Sequence, residues 1–185
     1  MNLEEYKYLV NSIPVAPFGI GTAQNWNQLG ALFEDLDRFH VTTFFELGVF
    51  MGGLADLMLY RQQNQLDFNY LGVQLLPEEL HKRLKSHPQI LIGSIFDGWI
   101  MDKISDLISI NQGTVMVYCD GGDKPKELRT YTTFLRIGDY IRAHDFPGES
   151  TPESLEKYAK DFPYMHEIEP NKCRELGFTL WKRIG

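Results

Sequence analysis

Short runs of β-branched and aromatic residues alternate along this chain with longer stretches whose apolar positions recur at three- and four-residue spacing. The runs VTTFFEL from Val41, FNYLGV from Phe68, QILI from Gln89, TVMVYC from Thr114 and DYIRAH from Asp139 read as strands. The stretches GLADLMLYRQQ from Gly53, PEELHKRLK from Pro77, DGWIMDKISDLIS from Asp97 and KPKELRTYTTFLR from Lys124 read as helices, with an earlier one from about Trp26 to Phe39. Strands that are apolar at almost every position and are separated by helices predict a parallel sheet, its right-handed crossovers covering both faces.

The pattern changes after Phe146. Thr151 and Pro152 form an N-cap and first-turn pair that starts a helix running to about Asp161. PYMHEIE and GFTLWKRI then read as two strands joined around Pro170 and Asn171, close enough in sequence to pair antiparallel. The expected architecture is α/β: a Rossmann-like doubly wound sheet of five parallel strands plus a C-terminal antiparallel hairpin, in a single domain. Within it, residues 1–40 would form a helical arm or flap, 41–146 the core, and 147–185 a lid and the hairpin.

Composition narrows the function classes. With 185 residues, 43% of them hydrophobic, the chain is long enough for one domain with a sizeable core. Its formal net charge of −7 repels polyanions, so nucleic acid is not an expected partner. The first residues, MNLEEYKYLV, carry acids where a secretory leader carries bases, and no apolar run approaches the roughly 18 residues of a membrane span. A cytoplasmic protein with no membrane contact is expected, with Cys119 and Cys173 as reduced thiols.

Candidate chemistry gathers at strand ends. FFELGVFMGG ends one strand and opens a helix, the place where an open α/β sheet binds its ligand. Gly48 permits a tight turn, Gly52 and Gly53 permit close approach, and Glu46 can accept hydrogen bonds from an amine or hydroxyl. An ordinary βα turn with glycines for packing is the plain alternative. Gly19 and Gly21, in FGIGTAQ, precede any strand and read as a flexible turn or as part of a flap. Asp120 ends the fourth strand, and His144 and Asp145 end the fifth, so three potential ligands for a divalent cation converge, unless Asp120 merely caps a turn and His144 packs. HKRLKSH reads as a solvated helix face or an anion or phosphorylated-substrate contact, and KPKELR, beside the cleft, as surface or a contact to an acidic acceptor. Trp26, Trp99 and Tyr131 could line an acceptor pocket, although aromatics at helical spacing are usually core, and His40 and His166 lie away from the motifs.

The pattern E-x-G-x-x-x-G-G after the first strand resembles motif I of the class I S-adenosylmethionine-dependent methyltransferases. The resemblance assigns the methionine part of the cofactor to Glu46, Gly48, Gly52 and Gly53, the ribose to Gln74 in place of the usual acid, and the adenine side to Ser94 and Ile95, with Asp120 at the same cleft. VMVYCDGGDKPKELRTYTTFLRIGDYIRAHDF is similar to the cephalosporin hydroxylase and rhamnosyl O-methyltransferase group, and more distantly to the catechol O-methyltransferase type. That similarity implies a Mg²⁺ or Mn²⁺ site at Asp120, His144 and Asp145, and it gives the same three residues the catalytic role. Asp123 stands where the first group carries a histidine, and Phe146 where the catechol type carries an asparagine. The implied activity is O-methylation of a hydroxylated small molecule such as a sugar, a phenol or a natural-product intermediate. Without a metal, His144, Asp120 or Asp123 would serve as base. The alternative is a non-catalytic nucleoside- or partner-binding domain of the same fold. The edge hairpin offers a surface through which two copies could pair.

Overall fold

The computed structural model describes Ile20, Thr22 and residues 24 to 185, and Gly19 and Gly21 lie outside the described residues. Element order is α1 (Trp26–Arg38), β1 (Val41–Leu47), α2 (Gly53–Asn64), β2 (Asn69–Gln74), β3 (Ile90–Ile92), α3 (Gly98–Ile110), β4 (Thr114–Cys119), α4 (Lys124–Thr132), β5 (Tyr140–His144), α5 (Pro152–Asp161), β6 (Met165–Glu167), α6 (Pro170–Glu175) and β7 (Phe178–Arg183). The sheet runs β3-β2-β1-β4-β5-β7-β6. β1 to β5 are parallel, while β7 is antiparallel to both β5 and β6, as the sequence predicts.

Side chains alternate between two cores. Phe44, Met116, Tyr118 and Tyr140 face one of them together with Leu32, Leu36 and Met58, whereas Phe45, Leu47, Val117 and Ile141 face the other with Ile100, Ile104 and Tyr158. Both faces of the central strands are therefore covered, and this is why those strands are mostly apolar. After β1 the chain winds outward through β2 and β3, then returns to place β4 on the other side of β1. This reversal leaves a crevice at the carboxyl ends of β1 and β4.

Helix starts follow their capping residues. Asn25 accepts hydrogen bonds from the backbone N–H groups of Asn27 and Gln28, while the Gln28 side chain accepts one from Asn25. Asp123 caps α4 through the Lys126 N–H, and Thr151 caps α5 through that of Ser154. Each satisfies donors that a helix start leaves free.

The helix expected from Pro77 does not form. His81 donates its backbone N–H to the Met51 carbonyl instead of to the preceding turn, and tight turns at Leu80, Leu84 and His87 replace the helix. Leu80 and Leu84 are buried as anchors. A Cβ on Gly52 would stand 2.1 Å from Leu84 Cδ1, so this segment packs directly over the glycine turn. HKRLKSH is therefore a charged turn and not a helix face. The join expected around Pro170 and Asn171 is the short helix α6, folded inward because Cys173 is buried in the first core.

Candidate active site

The crevice holds two adjoining cavities that share Gly48, Phe50 and Asp120. The smaller, about 30 Å³, is walled by Thr22, Gln24, Glu46 and residues 48–54. The larger, about 650 Å³, runs past Gln74, Glu79, Ser94, Ile95, Lys124, Asp145 and Glu149. The expected residues Glu46, Gly48, Gly52, Gly53, Gln74, Ser94, Ile95, Asp120 and Asp145 thus all line one or other cavity.

Glu46 sits at the end of β1, only 1% exposed, and accepts a 2.5 Å hydrogen bond from the Tyr70 hydroxyl. Burial pushes its carboxyl well above the usual range, against that hydrogen bond. Gly48 adopts φ +98°, and a Cβ there would fall 2.3 Å from the Asp120 carbonyl oxygen, so the β1 turn closes against the β4 turn only because this residue is glycine. Gly53 and Leu54 begin α2, where backbone N–H groups lack intrahelical acceptors. Among the described residues no basic side chain lines the smaller cavity, and two carboxyl groups do. That charge distribution suits a cationic ligand whose own carboxylate meets the helix start.

Gln74 has its polar atoms engaged within the chain. Its carbonyl oxygen accepts the Phe50 N–H at 2.7 Å, and its amide donates to Glu79 Oε2 at 2.6 Å. It therefore ties the glycine turn to Glu79, an exposed carboxylate on the wall of the larger cavity. The sequence reading missed Glu79; its only signal is an acid five residues beyond the strand end.

Asp120, His144 and Asp145 come together, with ligand atoms within 4.8 Å of one another. His144 Nδ1 lies 2.9 Å from Asp145 Oδ1 and 3.7 Å from Asp120 Oδ1, while its Nε2 is buried without a partner. The imidazole therefore holds Asp145 in place, and its free nitrogen points away from solvent. Burial lowers its pKa, opposed by Asp145. Asp123 spends its carboxylate on the α4 cap.

Two further residues enter the site unannounced. Gln24 donates to Asp120 Oδ2 at 2.9 Å, bringing the segment before α1 over the smaller cavity. Lys124, expected at the surface with KPKELR, is only 2% exposed and points inward. Its Nζ is 3.3 Å from Asp120 Oδ1, 3.4 Å from Asp145 Oδ2 and 2.8 Å from Glu149 Oε2. These carboxylates raise its pKa against the effect of burial and hold it protonated. Trp26 and Trp99 are exposed and Tyr131 is in the core; none lines either cavity. Cys119 and Cys173 are free and buried.

The donor triad could hold a divalent ion only beside this ammonium. Unit charges about 4 Å apart interact by about 4 kcal/mol at an effective dielectric of ~20, so a divalent ion there meets about 8 kcal/mol of repulsion from Lys124, set against a similar attraction to each carboxylate. Lys124 therefore competes with a divalent ion for Asp120 and Asp145.

Burial raises Asp120 to about 7, chiefly against Lys124, and Asp35 to about 6, chiefly against Arg142. Glu46 and Glu127 are raised as well, also by burial. Folded carboxyls with raised pKa values bind more protons than unfolded ones, so their contribution to stability is lost as pH rises through the folded values. His144 and His87 act in the opposite sense below about 6.5. With four carboxyls against two imidazoles, the melting temperature of the ligand-free protein is expected to fall by several degrees between about pH 5 and pH 7.5. A melting temperature that rises across that window would contradict the burial of these groups.

No family model matches the chain, and no curated protein matches it in sequence. Among the described residues, no helix is long and apolar enough to cross a membrane. Solved structures do match. CmcI in its apo form superposes with a TM-score of 0.66 at 16% identity, over 90% of this chain and 75% of that one. CmcI with Mg and SAM gives 0.62 at 17% identity over the same shares. The SAH-bound methyltransferase PaMTH1 of Podospora anserina gives 0.55 at 13% identity, over 99% of this chain and 88% of that one. At such low identity the likeness is one of architecture, and the fold of this chain is the one found in CmcI and in the methyltransferase PaMTH1.

Proposed function

We propose that the protein is an S-adenosylmethionine-dependent methyltransferase that methylates a hydroxyl of a small molecule. The observation that carries this reading is the paired cavity at the β1 and β4 ends. A cationic-ligand pocket walled by Glu46 and the glycine turn opens into a cleft of about 650 Å³, a size that takes a nucleoside and an acceptor. The likeness to CmcI with Mg and SAM and to SAH-bound PaMTH1 supports the same ligand.

When bound, the cofactor supplies an electrophilic methyl group on a sulfonium. A cation in the smaller cavity would draw Glu46 and Asp120 towards their charged forms, which offset it, and the N–H groups opening α2 receive the methionyl carboxylate. Glu79, held by Gln74, takes the ribose hydroxyls, a role the resemblance gives to the β2 terminus itself. Ser94 and Ile95 border the adenine side. The acceptor hydroxyl would give up its proton as it takes the methyl group. Asp120, in both cavities and with a carboxyl that burial places near neutrality, receives the hydroxyl proton. Asp145, oriented by His144, shares the acceptor end.

Thermal unfolding with S-adenosylhomocysteine tests the reading. At about 100 times its dissociation constant the ligand stabilises the fold by about 2.7 kcal/mol, a rise of roughly 5 to 10 °C, with NAD giving none. Glu79→Ala should weaken binding roughly tenfold or more while leaving the ligand-free melt within about 2 °C. A well-folded wild type that ignores the ligand would instead favour a partner-binding domain on the same fold.

A further inference from the structure

We propose that Lys124 is the resident cation of the acceptor end of the cleft, standing at the carboxylates where the resemblance puts a divalent metal ion, and that the protein binds no such ion there. As a statement about an acceptor end it rests on the methyltransferase reading, but its test needs neither cofactor nor acceptor.

Three parts of the fold aim oxygens at one nitrogen. Asp120 follows β4, Asp145 follows β5, and Glu149 comes from the turn before α5; their oxygens lie 3.3, 3.4 and 2.8 Å from Lys124 Nζ. An ammonium concentrates its charge at one compact point, so three carboxylates can share it. Two of those carboxylates belong to the triad that would ligate a metal, and the third member, His144, directs Nδ1 to Asp145. The positive charge these carboxylates require is thus supplied by the chain.

The placement has a local cause. Lys124 is the first residue of α4, immediately after the cap Asp123 and before Pro125. The next acid along the helix, Glu127, turns back to accept the N–H groups of Gly121 and Asp123, which fixes the loop from β4 to α4 around the ammonium. Lys126 points elsewhere, over the Phe96 ring. One lysine of the KPK sequence is thereby placed in the cleft and the other left outside.

Lys124 acts as a positioning residue: it holds Asp120 and Asp145 at fixed places on the cleft wall. It also makes that wall less negative, so an acceptor hydroxyl losing its proton meets less repulsion. The same arrangement would make turnover insensitive to chelators.

Manganese binding to the full chain decides the matter, read from the six-line Mn²⁺ signal in electron paramagnetic resonance. The wild type should leave the signal of equimolar Mn²⁺ unchanged. Lys124→Gln, which frees three carboxylates of their cation, should bind one Mn²⁺ per chain at least roughly tenfold more tightly than the wild type and melt at higher temperature with the ion present. If that variant does not fold, Lys124→Gln with Glu149→Gln removes a negative charge alongside the positive one and serves in its place. Stoichiometric Mn²⁺ binding by the wild type, lost in Asp145→Asn, would overturn the proposal. So would a folded Lys124→Gln protein with no gain in Mn²⁺ affinity. S-adenosylhomocysteine binding, measured separately on the wild type, shows whether the cofactor reading stands or falls by itself.

Discussion

Gly48→Ala is expected to cost about 3 kcal/mol or more and to lower the melting temperature by roughly 6 to 12 °C, with loss of S-adenosylhomocysteine binding. Two costs combine. The residue has φ +98°, where a side chain is strained, and the added Cβ would lie 2.3 Å from the Asp120 carbonyl oxygen and 2.7 Å from Gly121 Cα. Both contacts are with backbone, which cannot rotate aside as a side chain can. The Gly48 N–H also binds the Val73 carbonyl, and the Asp120 N–H binds the Leu47 carbonyl, so relieving the overlap would pull apart the turns that wall both cavities. Ligand loss should therefore exceed what destabilisation alone produces. A Gly48→Ala protein that melts within about 1 kcal/mol of the wild type would show that this turn is not shaped as described.

Arg142→Met is the second large effect, expected at about 3 to 5 kcal/mol. Arg142 is 1% exposed within β5. It donates to Asp35 Oδ2 at 2.9 Å and to the Gln28 carbonyl at 3.3 Å, and its guanidinium carbon lies 3.5 Å from the Phe178 ring centre. Methionine fills much of the same volume, so the loss is chiefly electrostatic: Asp35 is left buried without its cation. Two checks separate this from a packing defect. The deficit should shrink at pH 5, where Asp35 becomes protonated, and Asp35→Asn combined with Arg142→Met should recover at least about half of it. A deficit equal at pH 5 and pH 8 would count against the electrostatic account. Since α1 carries these partners and begins beside Gln24, the single variant should also bind S-adenosylhomocysteine less tightly.

The strand order and the site were legible to different depths. Mostly apolar runs marked β1, β2, β4 and β5 because strands covered on both faces have few polar positions, among them the buried Glu46 and Arg142. Thr151 and Pro152 placed α5 because a cap satisfies donors within a few residues, an interaction contained in the local sequence, and Asn25 and Asp123 turn out to begin α1 and α4 in the same way. Asp120, His144 and Asp145 could be grouped because parallel strand ends share one edge. What stayed hidden depends on contacts across the fold. The segment from Pro77 has helical spacing, yet the His81 hydrogen bond to Met51 and the burial of Leu84 over Gly52 set its path. Gln24 meets Asp120 across 96 positions, and Lys124 turns inward to three acids of which only one is its near neighbour in sequence. Gln74 stood in place of the usual acid at the β2 end, and its partner Glu79 became visible only once the chain had turned back on itself.

The seven-stranded sheet ends at β3 on one side and β6 on the other, and each is three residues long. An open edge recruits a foreign strand through a row of unpaired backbone groups, and three residues present too few to hold one in register. The central strands, whose unbroken apolar runs would be adhesive if exposed, are thereby screened at both margins by strands too brief to nucleate fibrils. Lengthening β3 or β6 would remove that protection, with self-association in concentrated samples as the outcome.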